Sequence, residues 1–309
     1  MAGITLGLSS NAFKTALDKV FYQKFNPKTG PQVGTVQMED IFRQNKAYNS
    51  AVIMEVFKGV GAWEETNEQE EYKAEDPRIN DQITFSVAKY TKKFAISEEA
   101  IEDDMVSLVK NSIADMGMMG KLTQDKVGFG VYKNAASTSL CSDGITLLSA
   151  SHTNLAGSTI DNTISGALTL TTFKEGLNLL IEQKNQADEI VGHEVKTILV
   201  PNELFDEAVV ITESELIPGN TDNDINVISN KYNVRVLQSV RIGAAAGGKD
   251  DHFFMLGENH SVSRWVRTPI ETKLIPPENS ANGDTVYRGR FREVYGAVSY
   301  EGIVGWEGA

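Results

Sequence analysis

Asp143–Asn154 reads DGITLLSASHTN and gathers an Asp-Gly turn, two serines and one of the chain's four histidines into twelve residues. As chemistry, the stretch offers the parts of a Ser/His/Asp hydrolase. As architecture, it is a turn-rich loop between a long helix and a compact α/β region. A triad needs nucleophile, base and orienting acid to converge, with the base hydrogen-bonded to both others. Ser151 and His152 are adjacent, and such neighbours rarely point at each other. The G-x-S-x-G elbow that presents a nucleophile on a strand-to-helix turn is absent. A catalytic set of Ser149 or Ser151 with His152 and Asp143 is therefore the weaker reading. The stronger one is a junction whose polar side chains satisfy local backbone.

Upstream of the junction the spacing predicts a long helix. Ser97 is a good N-cap, and Glu98 and Glu99 complement the helix dipole in the first turn. Ile101, Met105, Leu108, Ser112, Met116 and Met119 recur every three or four residues, a stripe expected to pack in the core rather than bind a ligand. The pattern persists to about Lys133, which makes the helix longer than roughly 45 Å. Gly117, Gly120, Gly128 and Gly130 weaken its second half.

Downstream, Thr172 and Glu175 form a capping-box pattern ahead of Phe173, Leu177, Leu180 and Ile181 on one helical face. Val195–Val200 is a strand, and Pro201-Asn202 opens a short helix through about Ile211. Val234–Val240 and His252–Leu256 are further strands. From Val262 onward, VSRWVRT, VYRGRFREVYGAVSY and GIVGW read as antiparallel β that packs on the long helix.

Before the long helix, Ala51–Val60 and the alternating Ile83–Ile96 predict a β-hairpin of about 45 residues, too little core to stand alone. Between them, Trp63–Asp81 sets eight acidic residues against Lys73 and Arg78. This tract is either a solvated loop or an arm laid on a partner. The first fifty residues read as an extended or partly helical arm. Asn11–Phe25 carries Phe13, Leu17, Val20, Phe21 and Phe25 at helical spacing, and Asn26–Gly34 then breaks the pattern. Those apolar residues need a covering surface, which a neighbouring subunit could provide.

Composition narrows the function. At 309 residues the chain exceeds one usual core, so two domains, or one with extensions, are expected. No apolar run approaches the roughly 20 residues that span a bilayer, so no membrane partner is expected. The N-terminus lacks the charged region of a signal peptide, which points to cytoplasmic synthesis. Cys141, the single cysteine, excludes intramolecular disulfides and thiolate zinc clusters, and is read as structural rather than catalytic. His152, His193, His252 and His260 show neither i,i+4 pairing nor HExxH, so neither a metal nor a cofactor is expected. A net charge of −13 opposes gripping bare nucleic acid, although an acidic wall can lie beside it.

Three further motifs resolve by chemistry. Gly243–Lys249, GAAAGGK, fits G-x-x-x-x-G-K, but Asp250 and Asp251 stand where a phosphate loop needs Ser or Thr, and strand-like HFFML replaces the following helix. It is read as a hairpin turn. The carboxylates of Glu64–Asp76 lack the EF-hand pattern and read as solvated charge. Arg288, Arg290 and Arg292 alternate on a strand and share one face, where they either pair with the acidic hairpin of a neighbouring copy or sit in solvent.

Taken in order, these parts resemble a tailed-bacteriophage major capsid protein of the Hong Kong 97 type, over nearly the whole chain. DGITLLSASHTN resembles the DG…LFS…HPN passage of one branch of that family. VKTILVPNELFDEA, PGNTDNDINVI and NVRVLQSV resemble its axial domain, and REVYGAVSYEGIVGW its closing strands. The resemblance implies an α+β, Hong Kong 97-like capsid fold. Its divisions would be an N-terminal arm (1–50), an E-loop hairpin (51–96), the spine helix of a peripheral domain (97–134), an α/β axial domain (135–261) and peripheral-domain strands (262–309).

It further implies a structural protein, not an enzyme, with no catalytic, cofactor-binding or metal residues. Copies would self-assemble as hexamers and pentamers into an icosahedral virion shell that encloses double-stranded DNA without sequence-specific binding. A portal and decoration proteins are implied partners, with synthesis in the host bacterial cytoplasm. No long charged helical segment precedes the arm, so a separate scaffolding protein is expected. Lys73, Lys89, Lys92 and Lys93 lie in or near the hairpin, but no motif selects one for the family's Lys–Asn cross-link. The alternatives are an encapsulin-like nanocompartment shell protein and a soluble hydrolase using Ser151 and His152.

Overall fold

A computed structural model describes residues 11–25, 41–57, 61–63, 65–68, 70–71, 79–97, 106–217, 225–276, 279 and 284–308. Its first elements are α1 (Asn11–Phe25), β1 (Arg43–Lys46), β2 (Ala51–Phe57), β3 (Ile79–Ser86), β4 (Ala88–Ile96) and the long helix α2 (Val106–Lys133). The junction holds the short pair β5 (His152–Thr153) and β6 (Thr159–Ile160), followed by α3 (Leu170–Ile181), β7 (Val195–Val200), α4 (Phe205–Glu213) and α5 (Val227–Lys231). The chain closes with β8 (Arg235–Gln238), β9 (Phe253–Gly257), β10 (Val262–Ile275), β11 (Thr285–Ala297) and β12 (Ile303–Trp306). The α+β class is as expected. Two four-stranded sheets, ordered β1-β10-β11-β4 and β12-β9-β7-β8, carry it, and β2-β3 form a separate hairpin.

Alternation along β11 organises the first sheet. Tyr287, Gly289, Phe291, Glu293 and Tyr295 point to the buried face, and Arg288 and Arg290 to the exposed one. On the buried face, Ile96 and Tyr287 meet Val109, Ile113 and Met116 of α2 together with Leu17 and Phe21 of α1. Each of those large apolar side chains contributes about 1.5–3 kcal/mol by leaving water. The apolar face of α1 is therefore covered by its own chain and not by a neighbouring subunit. Two glycines that weaken α2 by propensity make this possible: a Cβ at Gly117 would sit 2.6 Å from the carbonyl oxygen of Phe21, and one at Gly120 would touch the Phe25 ring at 3.4 Å.

α2 runs unbroken to Lys133 through all four glycines, roughly 42 Å at about 1.5 Å per residue. Its buried stripe differs from the expected one. Val109, Ile113 and Met116 are buried, whereas Met119 is 53% exposed. The expected cap at Ser97–Glu99 and the start of the stripe fall on 98–105, outside the described residues.

The expected hairpin also divides. β2 pairs with β3 from Ala51↔Ser86 to Phe57↔Ile79, but β4 leaves it to pair with β11. Val87 is the hinge: its amide donates to the Ser50 carbonyl at 2.9 Å, and its side chain packs with Ala47 and Trp265. Because alternation continues across Val87, the sequence reads as one strand.

In the second sheet, β7 has the bounds expected of it, and β8 and β9 fall within or beside theirs. The cap of α3 is Thr169, whose hydroxyl accepts from the Thr172 amide while the Thr172 hydroxyl accepts from the Thr169 amide. The expected Thr172–Glu175 box is thus displaced by one made of two threonines, and Ile181 is 45% exposed instead of buried. α4 starts at Phe205, after a turn at Pro201-Asn202. β12 pairs with β9, Ile303↔Leu256 to Trp306↔Phe253, so residues 262–309 serve both sheets instead of one set of peripheral strands. A shared core joins the sheets: Phe42 packs its ring against Phe129, Tyr132 and Tyr295, and Tyr132 reaches Phe254.

Candidate functional site

The Asp143–Asn154 junction does bring His152 to Asp143, with Nδ1 2.7 Å from Oδ2. It does not bring a serine to His152. The other ring nitrogen, Nε2, faces the Leu147 carbonyl at 3.3 Å, and the fully buried imidazole lies 4.6 Å from the Tyr300 ring. Ser149 and Ser151 bond each other at 3.0 Å. A base with both nitrogens engaged by acceptors has none left for a nucleophile.

The same side chains hold several segments together. Gly144 adopts φ +76° in the Asp-Gly turn, and the Ile145 amide donates to Asp143 Oδ1 at 3.0 Å. Asn162, fully buried, donates to the Leu147 carbonyl at 2.8 Å, accepts from the Ser149 amide at 2.9 Å, and through its carbonyl accepts from Gly305 of β12 at 3.1 Å. Asn154 Nδ2 donates to the Asn185 carbonyl at 3.2 Å and Asp188 Oδ1 at 3.1 Å. Cys141 is buried, and burial, then the nearby Asp143 charge, pushes its thiol pKa well above the usual range. It is packing, not a nucleophile.

Gly243–Lys249 forms a short 3-10 turn at Ala244–Ala246, and no long helix follows it. The Ala244 amide donates to Asp250 Oδ1 at 2.7 Å, so a carboxylate occupies the place a phosphate would need. Lys249 donates to the Gly308 carbonyl at 2.9 Å, and Lys133 at the end of α2 to the Ala246 carbonyl at 3.2 Å. The turn ties α2 to the C-terminal strand.

One polar cluster escaped the sequence reading. Glu293, 1% exposed, accepts from Arg264 at 2.7 Å, Gln124 at 3.1 Å and the Tyr295 hydroxyl at 2.9 Å. This network pins α2 to β10 and β11. Its signal was present as a carboxylate at an inward position of β11, between Phe291 and Tyr295. A groove of about 460 Å³ lies farther along the same helix–sheet seam, lined by Tyr90, Phe94, Met116, Met119 and Phe291. It accounts for the exposure of Met119.

The root of the hairpin lies on the opposite face of the first sheet, where Phe85 stacks on Trp265 at 4.9 Å and packs with Val294. Beyond it, Trp63 is 96% exposed, and the Ala62 amide donates to Glu189 at 3.3 Å. No described helix is long and apolar enough to cross a membrane.

A family model described as phage capsid protein matches residues 80–305. A search of curated proteins found no match. Among solved structures, the chain is similar to a virus-like particle from Pyrococcus furiosus, at 9% identity and a TM-score of 0.56, over 96% of this chain and 100% of that one. It is similar to the capsid of the cyanophage P-SCSP1u at 10% identity and a TM-score of 0.57, over 89% of each chain. The capsid of a native GTA particle matches at 12% identity and a TM-score of 0.52, over 90% of this chain and 95% of that one. At such identities these three establish a shared fold.

Proposed function

This chain belongs to the phage capsid protein family, whose model spans 80–305, and from that premise we propose how its parts serve a shell. It is a structural major capsid protein with a Hong Kong 97-like fold, its copies associate in the virion shell, and the family match carries that conclusion.

The shell we propose is icosahedral, made of hexamers and pentamers, and encloses double-stranded DNA without reading its sequence. The net charge of −13 supports a wall that contains DNA without gripping it. Residues 51–86 act as the intersubunit hairpin, α2 as the spine of a peripheral domain built on the β1-β10-β11-β4 sheet, and the β12-β9-β7-β8 sheet as the axial domain. The chain performs no chemistry in this reading: Ser149, Ser151, His152 and Asp143 brace a junction. A scaffolding protein, a portal and decoration proteins complete the head, and synthesis takes place in the host bacterial cytoplasm. Repeated modest contacts over many copies suffice for closure.

An encapsulin-like compartment shares the fold, and similarity to a virus-like particle over 96% of the chain keeps it as the second reading. Size-exclusion chromatography and electron microscopy of the expressed protein test both. Closed shells are expected, and DNA-filled, tail-bearing heads from the native source exclude a cargo compartment. Deleting 61–81 is expected to leave a cooperative thermal transition but abolish shells. A monomer labelled by a serine-reactive probe at Ser149 or Ser151 would overturn the capsid reading.

A further inference from the structure

The exposed face of the β1-β10-β11-β4 sheet has two halves. Trp265 and Val294 form an apolar half, covered by the chain's own hairpin through Phe85. The other half is cationic and uncovered. Lys89 and Lys93 of β4, Arg288, Arg290 and Arg292 of β11, and Lys273 of β10 share it, with Glu271 ion-paired to Arg290. Register places Lys93 opposite Arg288, Arg288 opposite Lys273, and Lys89 opposite Arg292. Like charges directly opposed on one face of a sheet are destabilising. This chain accepts that arrangement three times in one strip, although its net charge is −13. Such a strip is favourable only when an anionic surface from outside lies on it.

The chain's own densest anionic segment is the connection of the hairpin. Residues 64–76 hold seven carboxylates and one lysine, against six cations and one carboxylate on the strip. Glu65, Glu68, Glu70 and Glu71 are exposed. Within one chain the entry to this connection turns toward the second sheet, where Ala62 bonds Glu189. We propose that the cationic strip docks the acidic hairpin connection of a second copy of this chain, through Glu65, Glu68, Glu70 and Glu71. The inference rests on the capsid reading and adds to it the charge pairing that fixes where one copy's hairpin lies on another. Nucleic acid fits less well, because every strip would bring a phosphate backbone close to acidic connections that repel it.

The test exchanges the charges in the full-length chain. Arg288→Glu with Arg292→Glu reverses the strip, Glu68→Lys with Glu71→Lys reverses the connection, and a third variant carries all four changes. Shell yield is read by sedimentation, and folding by thermal melting. Either reversal alone is expected to cut yield roughly tenfold with the melting transition retained, and the fourfold variant to return it to within about twofold of the parent. Arg288→Gln with Arg292→Gln, a milder change that also serves if the reversed strip misfolds, is expected to give an intermediate loss. The loss is expected to deepen toward roughly 0.5 M salt, where exposed charges are screened. Unchanged yield in the folded reversed-strip or glutamine variants, or no rescue in the fourfold variant, overturns the docking. So does a reversed strip that assembles normally but retains less DNA, which would assign the strip to phosphate. In each of those outcomes the parent still forms shells and the capsid reading stands. A parent that never assembles sinks the capsid reading and this inference with it.

Discussion

His152 shows how a catalytic-looking side chain becomes a structural one. Its imidazole is fully buried, one nitrogen 2.7 Å from Asp143 and the other facing the Leu147 carbonyl, with Tyr300 packed beside it. His152→Ala would leave the Asp143 carboxylate, itself 8% exposed, without that partner and open a cavity next to Tyr300. A stranded buried acceptor costs about 1–3 kcal/mol, and the cavity adds to it. We expect a total near 3 kcal/mol and a fall in Tm of roughly 6–12 °C for a chain of this size, read by calorimetry. Ser151→Ala, on the exposed side of the same loop, is expected to stay within about 0.5 kcal/mol of the parent. Equal, small effects from both substitutions would show that the histidine does not brace the junction.

Glycine decides how the elements meet. Gly117 and Gly130 both lie in α2, where alanine is intrinsically better by roughly 0.8–1 kcal/mol. At Gly130 an added Cβ meets nothing within 4 Å, so Gly130→Ala should stabilise by about that amount. At Gly117 it meets the Phe21 backbone at 2.6 Å, so α1 must lift away from Ile113 and Met116. Gly117→Ala should then destabilise by about 1–3 kcal/mol and open α1 to proteolysis. Opposite signs in urea unfolding are the expected result, and matching signs would refute the close packing of α1 on α2. These glycines also mark what the sequence conceals. Periodicity revealed α1 and β7 with their bounds, because a local pattern of apolar residues is enough for that. It could not say that the breakers of α2 form the seat of α1, since that depends on a contact almost a hundred residues away. The cap of α3 was misplaced because two threonines can cap reciprocally without the Glu that the usual pattern requires. The Arg264–Glu293 network was hidden because register, and not spacing, brings β10 to β11. Asp143 and His152 were legible as a pair because they share one loop; only the carbonyl on the far side of the ring showed what the pair is for.

For the whole molecule, the joint between the two sheets carries a built-in sensitivity to acid. Arg43 of β1 crosses to the loop after β9, donating to the Glu258 carbonyl at 3.4 Å and Asn259 Oδ1 at 2.9 Å. His260 lies in that loop, and burial first, then the Arg43 charge, pushes its pKa down to about 4. Its Nδ1 is buried without a hydrogen-bond partner among the described residues. His252 and His193 are also held below the usual range, chiefly by burial. All three therefore favour the neutral form in the folded chain, whereas the unfolded chain takes up their protons near pH 6.5. Between about pH 6.5 and 4 the unfolded state binds more protons, so stability is fully present above that window and falls as the pH drops through it. The span from 6.5 to about 4 at His260 corresponds to at most about 3 kcal/mol. His260→Phe keeps a ring of similar size, removes the titration and fills the site of the unpartnered nitrogen with apolar surface. Urea unfolding at several pH values should show the parent losing stability steeply from neutrality to about pH 4.5, and the variant losing it with a clearly shallower slope. A variant slope equal to the parent's would move the acid sensitivity away from this joint. A shallower slope would place it where Arg43 of one sheet and the β9–β10 connection of the other must stay in contact, so that acid weakens the coupling between sheets before it reaches the core of either.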